Sequence, residues 1–199
     1  MTDRCSTVER KTKETQIRIA LNLDGPEKEN RIKTGVPFFD HMLTLFALHG
    51  FMGLSVTATG DIDIDFHHTI EDLGLVLGDA LNNALGDRKG IRRYGHAATP
   101  MDETLSMVTI DLSYRPYLIY QVPVNLLQTG NSLTSMAKEF FRAVATRAGM
   151  NLHINVSYGE NEHHILESIF KSFGRALDQA SKLDGRIIDI QSSKGTLKE

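Results

Sequence analysis

The chain repeats itself. Residues 67–80 and 163–176 superpose without a gap, matching His67-His68 with His163-His164, Glu71 with Glu167, Gly78 with Gly174 and Ala80 with Ala176, and Leu81 with Leu177 just beyond. A duplication limits the available folds sharply, because each copy has to bury its apolar face with the same local architecture and the copies have to share an interior. Both matched stretches read as helices. In the second, Ile165, Ile169, Phe170, Phe173, Leu177 and Ala180 recur at three- and four-residue spacings, while Lys171, Arg175, Asp178 and Lys182 take other faces.

A strand of period two precedes each helix. Leu54, Val56 and Ala58 alternate with polar neighbours, as do Leu152, Ile154 and Val156. Each strand follows an earlier helix, 38–48 in the first half and 135–147 in the second. The register that aligns Leu54 with Leu152 also sets His41 opposite Glu139. Ahead of those helices lie strand-like runs, 15–23 and 31–34, then 105–112 and 117–122. Asn22-Leu23-Asp24-Gly25-Pro26 and Ser113-Tyr114-Arg115-Pro116 supply turn residues between them. The expected fold is α+β and internally duplicated, two similar halves each of a small sheet backed by two helices. Residues 1–92 form the first half and 93–199 the second, with the join within 86–95 and both halves in one compact unit.

Composition narrows the chemistry. With 41% hydrophobic residues the chain has enough for a core, and its net charge of −3 gives no general attraction to nucleic acid or to an anionic membrane. Its one cysteine, Cys5, excludes an intrachain disulfide and thiolate metal sites. The absence of a long apolar run or signal-peptide core leads to the expectation of a cytoplasmic protein without membrane partners.

His67-His68-Thr69-Ile70-Glu71 and His163-His164-Ile165-Leu166-Glu167 are the chemical core of the repeat. On a helix, residues four apart share a face, so His67 with Glu71, and His163 with Glu167, can each hold one dication. The adjacent His68 and His164 point elsewhere, which calls for two ions. Packed with pseudo-symmetry, either between halves or between neighbouring subunits, one ion takes His67, Glu71 and His164 and the other His163, Glu167 and His68. The pairing of His41 with Glu139 extends the sets to His41, His68, His163 and Glu167, and to His67, His164, Glu71 and Glu139. Imidazole and carboxylate without thiolate suit a catalytic site for a first-row dication. From the residues alone, a dinuclear metallohydrolase and a non-catalytic metal-dependent assembly protein stay open beside a lyase.

A longer ordered set of motifs carries a resemblance. It includes Thr34-Gly35-Val36-Pro37-Phe38-Phe39-Asp40-His41, Gly60-Asp61, both His-His-x-x-Glu motifs, Arg92-Arg93-Tyr94-Gly95, Pro100-Met101-Asp102-Glu103, Arg115-Pro116-Tyr117 and Glu139-Phe140-Phe141-Arg142. In these the chain resembles the imidazoleglycerol-phosphate dehydratase family over nearly its whole length. The resemblance implies a fold like the second domain of ribosomal protein S5 and a homo-oligomeric 24-subunit shell with sites at subunit interfaces. It implies a carbon–oxygen lyase of histidine biosynthesis that converts D-erythro-imidazole-glycerol phosphate to imidazole-acetol phosphate with two Mn²⁺ per active site. Ions on both ring nitrogens would hold the substrate ring as an imidazolate able to push out the hydroxyl. By the same resemblance Glu14 transfers a proton and His49 lies in the catalytic, substrate-binding segment. His41 also meets substrate, and Arg93, Arg115, Ser193 and Lys194 bind phosphate, the C-terminal tail being ordered by that ligand. Four departures stand out: Phe66 replaces an Asp, Tyr114 a Gly, Leu133 an Asp and Lys138 an acidic residue, and Glu139 stands where some members have His.

Overall fold

The computed structural model describes residues 4–25, 30–122 and 133–197, so Pro26 of the first expected turn lies outside the described residues. The first half runs β1 (Cys5–Lys11), β2 (Thr15–Asn22), β3 (Arg31–Lys33), α1 (Pro37–His49), β4 (Gly53–Gly60) and α2 (His67–Leu85). The second runs β5 (Tyr94–Met101), β6 (Thr104–Asp111), β7 (Tyr117–Gln121), α3 (Leu133–Ala148), β8 (Asn151–Tyr158) and α4 (Glu162–Ser181). The sheets have the same order, β1-β2-β4-β3 and β5-β6-β8-β7. In each, the last strand pairs parallel with the one inside it, β3 with β4 and β7 with β8, and α1 or α3 is the crossover that a parallel pair requires.

The alternation expected of the central strands is present: Ile17, Ile19 and Leu21 of β2 face inward with Leu54, Val56 and Ala58 of β4. The structure adds an antiparallel edge strand to each sheet beyond the runs legible in the sequence, β1 on β2 and β5 on β6. β1 is largely exposed, with Val8 its one large aliphatic residue, and β5 turns the small Gly95, Ala97 and Thr99 inward, so neither has a strong apolar period. Pro100 is tolerated in β5 because an edge strand leaves backbone groups outside the ladder.

The halves meet through their helices. α2 packs on α3 and α1 on α4, and one continuous apolar cluster runs through both sheets and all four helices. Its centre is aromatic: Phe46 of α1 stacks on Phe173 of α4 with centroids 4.9 Å apart, and Phe39 meets Phe140 and Phe170 edge-on at 5.6 and 5.8 Å. These rings are fully buried, and each contributes about 1.5–3 kcal/mol of transfer free energy. The glycines matched in the repeat, Gly78 and Gly174, are where the helices cross. A Cβ on Gly174 would lie 2.4 Å from the Phe46 carbonyl oxygen, and one on Gly78 would lie 2.6 Å from Arg147 Cβ and 2.9 Å from the Val144 carbonyl oxygen. Gly174→Ala is therefore expected to force α1 off α4 and destabilise the protein by about 1–3 kcal/mol. A urea midpoint unchanged from wild type would contradict this account of the crossing.

Candidate active site

The α1–α4 crossing carries His41 to the start of α4. Asn161 caps that helix, its side chain accepting from the backbone N–H groups of His163 and His164. Glu167 Oε2 lies 3.3 Å from His41 Nε2 and 3.2 Å from His163 Nε2, and the three residues offer ligand atoms all within 4.8 Å of one another. Among the described residues they are the one group of three metal-type side chains this tightly gathered. Lys171 Nζ sits 2.6 Å from the other Glu167 oxygen. Burial would raise the Glu167 carboxyl, but Lys171, His41 and His163 outweigh it and hold it below the usual carboxylate value. The set thus places a partly buried carboxylate beside two imidazoles, the donor types a dication site needs.

The other half builds a looser counterpart on the α2–α3 contact. His67 Nε2 lies 3.4 Å from Glu71 Oε2, and Arg142 bridges the two carboxylates, 3.0 Å from Glu71 and 2.5 Å from Glu139. Glu71 and Glu139 thus share one guanidinium, and with His67 they are not gathered as tightly as the first group.

The fourth ligands expected from the sequence are not brought into these groups within one chain. Neighbouring helical residues project about 100° apart, so His68 turns away from His67. Its Nδ1 meets Asp61 Oδ2 at 2.9 Å, with Glu14 at 4.0 Å. Likewise His164 Nδ1 meets Glu103 Oε2 at 2.7 Å. Asp61, with help from Glu14, raises the His68 pKa, and Glu103 raises that of His164. The Glu103 carboxyl is lowered to about 2, by His164 first and then by the backbone N–H of Asn161. A carboxylate on one ring nitrogen is the arrangement that fixes an imidazole and leaves the other nitrogen for a metal. Asp61 and Glu103 were given no role from the sequence, and only for Glu103 is there a faint trace of one in the repeat. Glu14 precedes Thr15 and Glu103 precedes Thr104 at the starts of the equivalent strands β2 and β6. With no acid at Phe66, Asp65 receives the His67 backbone N–H at 2.8 Å and Asp61 serves His68.

Glu14 and Asp61 line a depression of about 340 Å³ between β1, β2 and β4. His49, in the last turn of α1, faces α4. Its pKa is lowered, by burial first and then by the charges of Lys171 and Arg175.

The four expected phosphate ligands share one cavity. Arg93, Arg115, Ser193 and Lys194 line a space of about 580 Å³ with Ser113, Gln191 and Ser192. Arg93 is buried and bidentate to Asp111 at 2.6 and 3.0 Å, and it also donates to the Gln191 carbonyl at 2.8 Å. Arg115 lies 3.7 Å from the same Asp111, with its side chain 59% exposed. One carboxylate against two guanidiniums and the Lys194 ammonium leaves the cavity cationic. The tail is also held by the protein itself: Arg93 anchors Gln191, and Gly90 exchanges backbone hydrogen bonds with Asp184 and Asp189. Leu133 and Lys138 lie on α3, with Leu133 packed against the core, and the substitution at Lys138 has no explanation in the structure.

A duplicated α+β scaffold carrying two His/Glu clusters and a basic cavity fits the class of enzymes that act on a phosphorylated small molecule. The comparisons with known proteins narrow the class. Residues 34–177 match the imidazoleglycerol-phosphate dehydratase family model. The imidazoleglycerol-phosphate dehydratase of Geobacter sulfurreducens is 57% identical over 98% of this chain and 99% of its own, and that of Acetivibrio thermocellus is 54% identical over 98% of this chain and 100% of its own. The crystal structure of the Staphylococcus aureus enzyme superposes with a TM-score of 0.79 at 38% identity, covering 90% of this chain and 99% of that one. The Pyrococcus furiosus IGPD in complex with (S)-C348 superposes with a TM-score of 0.81 at 38% identity, covering 95% and 99%. The chain belongs to the imidazoleglycerol-phosphate dehydratase family and is an enzyme of the hydro-lyase class, which sets aside the metallohydrolase and assembly-only alternatives. No helix among the described residues is long and apolar enough to cross a membrane.

His49 gives a direct check on the electrostatics of the site. The unfolded chain takes up a proton at this residue near its ordinary value of about 6.5, whereas the folded state resists it. The stability linked to His49 is therefore full above that value and declines as pH falls toward the folded pKa. In NMR titrations Lys171→Gln is expected to raise the His49 pKa part of the way back, since burial, the larger cause, remains. No movement, or a fall, would show that Lys171 does not act on His49.

Proposed function

We propose that the protein removes water from D-erythro-imidazole-glycerol phosphate to give imidazole-acetol phosphate, with two Mn²⁺ ions per active site, as a step of histidine biosynthesis in the cytoplasm. The observation that carries this reading is the meeting of His41 from one half with His163 and Glu167 from the other, in the same chain that gathers Arg93, Arg115, Ser193 and Lys194 round a basic cavity. Donor chemistry supports a first-row dication, since imidazole nitrogens and carboxylate oxygens without thiolate suit one, and the family resemblance implies Mn²⁺. His41, His163 and Glu167 would hold one ion, and His67, Glu71 and Glu139 the other. His68 and His164, oriented by Asp61 and Glu103, would complete the sets of a neighbouring copy in a homo-oligomer, the 24-subunit shell implied by the family resemblance. When bound, the ions supply Lewis-acid stabilisation of the negative charge that builds up as the carbon-bound proton leaves.

The remaining work falls to the chain's own residues. Glu14, solvent-accessible beside His68, takes the proton. His49, favoured in its neutral form by burial and two nearby cations, both donates and accepts hydrogen bonds to the substrate. Arg93, Arg115, Ser193 and Lys194 grip the phosphate, and Arg93, held by Asp111, also fixes the tail that carries the last two.

Purified protein supplied with Mn²⁺ and imidazole-glycerol phosphate should form the keto product, stop on chelation and resume when Mn²⁺ is restored. An absence of product under those conditions would overturn the reading. Glu71→Gln and Glu167→Gln should each cut turnover by at least ~100-fold, the upper end of what losing an outer hydrogen-bond partner of a metal ligand costs. Loss of activity in only one of the two would contradict the paired sets. Glu139→His should keep Mn²⁺ affinity and turnover while Glu139→Ala weakens one ion. Wild-type affinity and turnover in the alanine variant would remove Glu139 from the site.

A further inference from the structure

The turn from β6 to β7 carries Ser113 and Arg115 into the wall of the phosphate cavity, and Tyr114 lies between them. Tyr114 has φ +58°, the left-handed region that a glycine enters freely and an aromatic residue rarely occupies. An aromatic side chain there meets a steric cost that glycine escapes, so the conformation has to be held by contacts of the side chain itself.

The structure supplies it. The Tyr114 ring lies against the Arg88 guanidinium, with Cζ 3.6 Å from the ring centroid, and its hydroxyl donates to the Gly86 carbonyl at 2.7 Å. Arg88 is itself only 1% exposed, and it donates to the Gly149 carbonyl at 2.9 Å, to Asn82 Oδ1 at 3.0 Å and to the Ala148 carbonyl. Gly149 makes room for the turn, since a Cβ there would lie 3.2 Å from Tyr114 Cα. One buried cation therefore ties the connection between the halves, the end of α3 and the Arg115 turn together, and a desolvated guanidinium over an aromatic face is a favourable contact.

We propose that Tyr114 is a positioning residue for phosphate binding: its ring, clamped on buried Arg88, holds the left-handed turn so that Arg115 meets the substrate phosphate already oriented. The proposal rests on the reading of the Arg93–Arg115–Lys194 cavity as the phosphate site. An ordered turn loses less freedom when ligand binds than a mobile one does, so the clamp acts on affinity and leaves the chemical step alone.

Inorganic phosphate titrated calorimetrically into wild type, Tyr114→Phe, Tyr114→Leu and Tyr114→Gly tests this, with KM and kcat measured alongside and folding checked by circular dichroism. Tyr114→Phe keeps the ring and should bind phosphate within about twofold of wild type. Tyr114→Leu and Tyr114→Gly lose the contact and should bind about fivefold more weakly, with KM raised in parallel and kcat nearly unchanged. The glycine variant, which enters the left-handed region without strain, keeps the test open if leucine does not fold. Wild-type phosphate affinity in the glycine variant, or a loss in phenylalanine as large as in glycine, would overturn the clamp. A wild-type protein that binds no phosphate would overturn the cavity reading, and the role of the clamp with it.

Discussion

Close packing of α1 on α4 is the constraint on which the rest of the molecule depends. Phe46 stacks on Phe173, Phe39 meets Phe170, and Gly174 lets the Phe46 carbonyl approach where any side chain would collide. That one crossing closes the interior shared by the halves and sets His41 against His163 and Glu167. Because interiors are packed as densely as molecular crystals, a shift of α1 sufficient to relieve an added methyl group would also move His41. Stability and ligand geometry are coupled at this point.

Electrostatics divides the site between residues that gather charge and residues that orient it. Glu167 sits among Lys171, His41 and His163, which hold its carboxyl below the usual value, and Glu71 and Glu139 share Arg142. Asp61 and Glu103 act on ring orientation: each engages the Nδ1 of the second histidine of its motif and leaves Nε2 directed elsewhere. The basic cavity follows the same division. Arg93 is committed to Asp111 and the tail, and Arg115 is the more exposed of the two guanidiniums.

Much of this was legible in the sequence because it is periodic. The duplication, the four helices and the inward faces of β2, β4, β6 and β8 follow from apolar spacing, and the motif histidines and glutamates fall on those helices, whereas Arg93, Arg115, Ser193 and Lys194 lie in turns and the tail. What escaped was not periodic. β1 and β5 are edge strands, one mostly polar and the other with a buried face of Gly95, Ala97 and Thr99, so their pattern is one of size and exposure instead of hydrophobicity. The carboxylate partners of His68 and His164 lie on a loop and in a hairpin turn, where the chain path and not the spacing decides what meets what. The left-handed conformation of Tyr114 is likewise a property of the folded turn, and the sequence registers it only as an unexpected residue.

The central claim is that contacts between the halves build two His/Glu clusters in each chain, which we propose hold one metal ion each. Anomalous diffraction at the manganese edge, from crystals grown with Mn²⁺, tests it most directly. The account predicts two peaks per chain, one against His41, His163 and Glu167 and one against His67, Glu71 and Glu139. A single peak, or peaks remote from both groups, would contradict it.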